Sequence, residues 1–330
     1  MIWTAWRQFR TQAVIGAIAF ALAAVCLVLL AADIRTHYNA LMDCLAKGCG
    51  ADTVHGFKDR YNAIIQVTDL LLIAVPAVLG VFWGAPLIST ELTAGTHRLA
   101  WNQSVTRSRW LAVKLAVVGL AAVAFTGVLG LLLTWAASPY DKIEANPFSS
   151  TVFGARDIVP FAAAAFTFAL GAAAGIVLRR PVTAMGVTLV LFLGVQFVIP
   201  SVLRPNYLPA HHTVVQLDAR SLSNAKGIKT TKDSVAISGV AIPGAWVISS
   251  TEAVDSAGMP PSPDVVTQCF KAREFSDTIE CFAKHNLHVT TAYQPPSRYW
   301  PFQWIETAIN ATAATLLVGL CFWWIRRRIS

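Results

Sequence analysis

The sequence predicts an all-α polytopic membrane protein with six transmembrane helices, both termini in the cytoplasm, and a small mixed α/β extracytoplasmic domain between helices five and six. Three observations predict it. Of 330 residues, 55% are hydrophobic and 13% are charged, about half the charge usual in soluble domains. Six apolar runs, approximately 13–32, 65–88, 111–135, 158–178, 182–203 and 302–325, are each long enough to cross a hydrocarbon core of about 30 Å at about 1.5 Å per residue. Between the fifth and sixth runs lies the interval 204–300, the one stretch outside the spans large enough to fold as a domain. The chain therefore divides into 1–203, with five spans and a cytoplasmic loop at 89–110; the domain 204–300; and 301–330, with the sixth span and a basic tail.

The opening MIWTAWRQFR sets Trp3, Trp6 and Phe9 near helical spacing with Arg7 and Arg10 between them. This is the pattern of a short helix lying in the membrane interface, aromatics inward and arginines toward lipid phosphates. The first apolar run is longer than the core of a signal peptide and no small-x-small cleavage site follows, so it is read as a retained span. An outer loop at 33–64 carries Cys44 and Cys49. The second run contains Pro76, which can kink it, and Asp69 near its outer end. A short outer loop, 138–157, holds Pro139 and Pro147. The fourth run contains Gly171-Ala-Ala-Ala-Gly175, a small-xxx-small pattern that lets helices pack closely, and the turn Arg179-Arg180 leads to the fifth.

In the domain, β-branched runs at 213–217, 234–242 and 246–250 predict strands, and the second half predicts two helices bridged by cysteines. The last run has Glu306 near its outer end and closes on Arg326, Arg327 and Arg328. A carboxylate deep in a bilayer is costly and usually functional, whereas one near the headgroups is cheap. Asp69 and Glu306 are thus read either as solvated interfacial groups or as the lining of an exit path. The tryptophans near the run ends, such as Trp83, Trp135, Trp304 and Trp323, fit interfacial belts.

Six crossings put both termini on one side. That side carries 11 basic residues and one acid, Glu91, leaving 15 basic and 17 acidic residues to the other. The positive-inside rule makes the first side cytoplasmic. Basic excess here follows topology, and no stretch mixes dense Lys/Arg with the aromatics of a strand-binding surface, so nucleic acid is not an expected partner. Cys44, Cys49, Cys269 and Cys281 all fall in loops assigned outside, where disulfides persist. Each pair shares a loop, which favours Cys44 with Cys49 and Cys269 with Cys281 among the three connectivities. A zinc site with His285 and His288 is the alternative, but the spacing matches no common structural-zinc pattern, and no metal is expected.

No phosphate-binding, metalloprotease, nucleophile-elbow or dinucleotide motif occurs, so the chain is not expected to be an enzyme. What remains distinctive is ELTAGTHRLAWNQSVTRSRW at 91–110. Glu91 opens it, followed by Gly95, Thr96, His97 and Arg98, and then by Ser104, Arg107 and Arg109. Residues 91–102 read as a short helix, with Thr106 or Ser108 capping the third span.

With its six crossings, E-x3-G-T-x-R stretch (Glu91, Gly95, Thr96, Arg98) and S-x-x-R-x-R entry (Ser104, Arg107, Arg109), the chain resembles the permease subunits of ABC exporters, in their second superfamily. The end, SRYWPFQWIETAIN through FWWIRRR, is similar to such permeases from actinobacteria. The resemblance implies a bacterial plasma-membrane protein that pairs with a second permease copy, in a homodimer, and with two copies of a separate ATP-binding subunit. The 91–102 segment would then couple to that subunit, which would bind ATP and Mg while the permease binds no cofactor itself. Cargo would range over drugs, peptides, lipids and antibiotics. A membrane sensor or immunity protein with an extracellular ligand-binding domain is the alternative. A secondary transporter is disfavoured because the spans hold almost no mid-membrane charge.

Overall fold

A computed structural model describes residues 2–95, 106–144, 146–217, 227–231, 234–238, 242, 244–255, 257–271, 275–285 and 287–328. Six helices among them are long and apolar enough to cross a membrane. The chain divides into two compact units: a helical one, 1–144 with 150–204 and 301–330, and an α/β one, 145–149 with 205–300.

Helix α1 runs unbroken from Ile2–Ala46, so the opening residues continue the first span and form no separate interfacial helix. Trp3, Trp6 and Arg7 lie within it, with side chains outside the description, and Arg10 is exposed. The helix overruns the expected loop because nothing in 33–46 is a Gly or Pro that would end it. Helix α2 spans Ala51–Leu79, so the expected loop at 33–64 shrinks to a turn closed by the Cys44–Cys49 disulfide. Tyr61 stitches the pair of helices together, donating to Asp33 at 2.6 Å and meeting His37 Nδ1 at 2.9 Å.

Pro76 stands inside α2 without breaking it. The strain is taken up just beyond, where Gly80–Gly84 forms a π-turn before α3, Ala85–Ala94. Helix α4 covers Arg107–Glu144, the short α5 Ser150–Ala155, and α6 Val159–Leu178. The elbow between α5 and α6 is Asp157 in the left-handed region (φ 56°), which Asp tolerates better than most residues. Arg179, also left-handed, caps α6 by donating its N–H to Gly175, and Pro181 starts α7, Pro181–Val198. A π-turn at Ile199–Leu203 follows. The last span belongs to α10, Tyr299–Arg328.

Helix α6 is the hub. Two G-x-x-x-G rows meet on it: Gly80 and Gly84 from the π-turn, Gly171 and Gly175 from α6. A Cβ on Gly80 would lie 2.6 Å from the Thr167 carbonyl oxygen, and one on Gly84 would lie 2.7 Å from that of Phe168. On Gly171 and Gly175 it would overlap the carbonyls of Gly80 and Ala85. The backbones touch because no side chain intervenes, the packing expected where helices associate without a hydrophobic drive. By contrast α1 presents Ile15, Leu22 and Leu29 outward, the apolar exterior of a lipid-facing helix.

In the α/β unit, antiparallel strands β1 (His211–Gln216), β4 (Trp246–Ser250) and β5 (His288–Gln294) form a sheet ordered β1-β5-β4. His211 pairs with Tyr293, and a bulge interrupts β4 between Val247 and Ser249. A hairpin joins β2 (Gly227–Thr231) to β3 (Ser234–Ser238). Helices α8 (Pro263–Phe270) and α9 (Phe275–Ala283) are joined by the Cys269–Cys281 disulfide, and with Leu217, Phe282 and Val289 they close a small core. Ser262 caps α8 by accepting from Val265 N–H.

Gly171→Val is expected to destabilise the purified protein in detergent by about 1–3 kcal/mol or more, since a Cβ there meets backbone rather than a flexible side chain. Gly186→Ala, at a position with nothing within 4 Å, should be neutral or stabilising by up to about 1 kcal/mol. Thermal unfolding of the two variants side by side measures both.

Candidate functional site at the two ends of the helical unit

The sequence concentrates interest at the 91–110 segment. Of the helix expected over 91–102, residues 91–94 are the end of α3, which Gly95 stops by taking a left-handed conformation (φ 72°) that glycine adopts without penalty. Residues 96–102, with Thr96, His97 and Arg98, lie outside the described residues. After that stretch, Thr106 Oγ accepts from Arg109 N–H at 3.3 Å and caps α4.

Glu91 at the end of α3 and Lys114 in the second turn of α4 form an ion pair across the segment. Both side chains are largely buried, and Lys114 Nζ lies 4.9 Å from the Trp110 ring centre. Nearby, Arg326 donates to Ser108 Oγ at 3.0 Å and Arg179 to the Arg328 carbonyl at 3.0 Å. Three of the basic segments that charge counting assigns to one side, at 107–114, 179–180 and 326–328, thus meet at one end of the unit. Arg107 and Arg109 stand in the first turn of α4.

The opposite end, where residues 204 and 301 leave the unit, holds the two carboxylates flagged by sequence. Neither is solvated: Asp69 is 0% exposed and Glu306 4%. Arg156, 1% exposed, donates Nε to Asp69 at 2.9 Å and Nη1 to Asp141 at 2.6 Å. Arg204, also 1% exposed, grips both oxygens of Glu306 at 3.0 Å and lies 4.1 Å over the Phe153 ring. Gln303 closes the layer, donating to the Phe153 carbonyl at 3.2 Å and accepting from Val159 N–H at 3.3 Å. Burial alone would strip charge from Arg156, but Asp141 and Asp69 outweigh it and hold the guanidinium proton above its ordinary range.

Sequence reading missed Arg156, Asp141, Arg204 and Gln303. A signal was present: Arg156 and Arg204 stand two residues before and one after the apolar runs 158–178 and 182–203, the depth at which Asp69 and Glu306 need counter-charges. Lys114 was counted as basic without its partner.

The cysteines are bonded as their shared loops suggest, with Cα separations of 5.4 Å in each pair. His285 lies within 4.8 Å of both Cys269 and Cys281. With both sulfurs spent in one covalent bond, neither is the thiolate a metal would need.

Compared with protein families, the chain matches the model described as ABC-2 membrane transporter related, over residues 17–204. It belongs to that family. The match takes in the first five spans, the bracketed segment at 96–105 and both arginines of the buried pairs, and it stops before the 205–300 part of the α/β unit and the last span. No curated protein matches the chain, and no solved structure matches it. The chain is a multi-pass membrane transporter component, and among the described residues its buried ion pairs, Glu91–Lys114, Asp69–Arg156 and Glu306–Arg204, lie on either side of the close-packed glycine contact.

Removing one partner of the Glu91–Lys114 pair should cost about 3–5 kcal/mol by leaving a buried charge unpaired. The double variant Glu91→Gln with Lys114→Met should be milder than the sum of the singles. A double-mutant cycle on thermal unfolding measures this coupling, and strict additivity would show the pair contributes nothing.

Proposed function

We propose that this permease is the membrane subunit of an ATP-driven exporter, lying in the bacterial plasma membrane with the 96–105 segment in the cytoplasm. Two copies of the chain form the path, and two copies of a separate ATP-binding subunit engage the segment and supply ATP and Mg. The observation that carries the reading is the bracket around that segment in a chain of the ABC-2 related family: a helix ended by Gly95, a helix started by Thr106, and a buried Glu91–Lys114 pair joining the two. A loop that only sets topology needs no such pair. The two-residue turn Arg179-Arg180 reverses the chain without one.

Physically, the bracket turns a push on the segment into movement of two spans. A partner pressing on 96–105 loads α3 and α4 together, because separating them would leave the Lys114 ammonium and the Glu91 carboxylate buried and unpaired. Helix α3 leans on α6 through glycine backbone and meets α2 through a π-turn, the kind of irregularity that accommodates a change of helix angle. Arg107 and Arg109 offer positive charge to the partner, and this charge is supplied before contact rather than by folding.

Affinity purification of the tagged chain from its native membrane is expected to recover an ATP-binding subunit. Reversing Arg107 and Arg109 to Glu should lower that recovery at least about tenfold by placing like charge where opposite charge was selected. Substituting Gly95 and Arg98 should lower the ATP turnover of the complex. Recovery of no ATPase, or turnover indifferent to all four positions, would remove the reading.

A further inference from the structure

The segment 150–157 is short, yet it reaches four spans. Arg156 binds Asp69 of α2 and Asp141 of α4. Gly154 lies against Ile73 of α2, and the Ala155 carbonyl sits over Gly130 of α4. Asp157 N–H donates to Thr134 Oγ of α4 at 3.0 Å. The Phe153 ring, 0% exposed, lies beneath Arg204, which is clamped to Glu306 of α10, and the Phe153 carbonyl accepts from Gln303 of the same helix. Residues 150–157 thus fill the end of the helical unit from which 204 and 301 emerge, with the left-handed Asp157 as their elbow.

We propose that residues 150–157 are a latch that closes this end of the permease and opens when the Arg156 and Arg204 pairs are released. The choice of charge over hydrocarbon carries the argument. A permanent plug would be most stable if apolar, because replacing a buried ion pair with packed hydrophobic side chains is often neutral or stabilising. An apolar plug, however, would resist opening, since every exposed Å² raises the free energy by about 25 cal/mol. Paired arginines and carboxylates behave differently: opening breaks the pairs but lets water rehydrate four ionised side chains that were buried dry. The two states are thereby brought close in free energy, as a gate that cycles requires, and the geometry of each guanidinium still makes the closed state discrete.

The latch's purpose rests on the permease reading, but its test needs neither ATP, partner nor cargo, so the two can fail separately. The full chain carrying Cys26→Ala and Cys321→Ala, which removes the free cysteines, is purified in detergent micelles and given a water-soluble maleimide. One reporter is Ala155→Cys in the latch; the other is Ala173→Cys in α6, on the core of the opposite end. Both parent positions are buried, so both reporters should label slowly. Asp69→Asn or Glu306→Gln should raise the labelling rate at Ala155→Cys at least about tenfold, the effect of a shift of about 1.4 kcal/mol in the closed–open balance. The rate at Ala173→Cys should not change. Exchanging the second pair, Arg204→Glu with Glu306→Arg, should restore slow labelling. No rise at Ala155→Cys, an equal rise at both reporters, or an exchanged pair that labels as fast as Glu306→Gln would each overturn the latch.

Discussion

The helical unit is organised around a backbone contact. Where Gly80 and Gly84 meet Gly171 and Gly175, carbonyl oxygens of one span occupy the space that side chains of the other would need. In water, two helices are driven together by the apolar area they hide. In lipid that drive vanishes, and close approach, with its dense dispersion contacts, takes its place. The contact also explains the neighbouring irregularities. Pro76 deprives α2 of one backbone hydrogen bond, and the π-turn at Gly80–Gly84 adds a residue to a turn just where the helix must lie flat on α6. Pro86 then stands in the first turn of α3, directly after the π-turn.

With the middle of the unit committed to glycine and alanine, polar chemistry is displaced to the ends. Each end solves the burial of charge in the same way, by pairing a carboxylate on a span with a cation from another element. Exposures near zero at Asp69, Arg156 and Arg204 mean that no single member can be removed cheaply. They do not mean that the pairs are the source of stability, because desolvation offsets most of their attraction. What the pairs specify is position. A fork-shaped guanidinium satisfied by two carboxylates admits few arrangements, and a Lys–Glu pair admits somewhat more.

Much of this architecture is legible in the residues because a bilayer imposes coarse rules. Span length, Lys/Arg bias and disulfide-permissive loops are each read one segment at a time, and the six spans, both cysteine pairs and the close-packing role of Gly171 and Gly175 are found where those rules put them. Helix ends are harder. Residues 33–46 are polar enough to look like a loop, yet helix continues until something stops it, and nothing there does. At 91–102 the reverse happened: Gly95 was noticed as part of a motif when its local effect was to end a helix. The paired charges were the least legible, because Arg156 finds Asp69 across 87 positions and Arg204 finds Glu306 across 102. Separations of that size are set by the packing of spans. Only the need for a partner, not its identity, can be read from one strand of sequence.

The two ends are mechanically related through the helices they share. Glu91 and Asp69 lie on the same span, Glu91 near the end of α3 and Asp69 within α2, and Lys114 and Asp141 lie toward opposite ends of α4. The Glu91–Lys114 pair therefore joins the second and third spans at one end, and Arg156, bridging Asp69 and Asp141, joins the same two spans at the other. The 22 residues between Asp69 and Glu91 correspond to about 33 Å of helix, with the glycine contact lying between them. Two spans joined at two levels and held against a third by backbone contact resist a change of mutual angle, and the π-turn at Gly80–Gly84 is where the α2–α3 path can yield. In the proposed latch, a rotation imposed through α3 would change the separation of Asp69 and Asp141, and a guanidinium holding both at hydrogen-bond distance would follow that change poorly without letting one of them go.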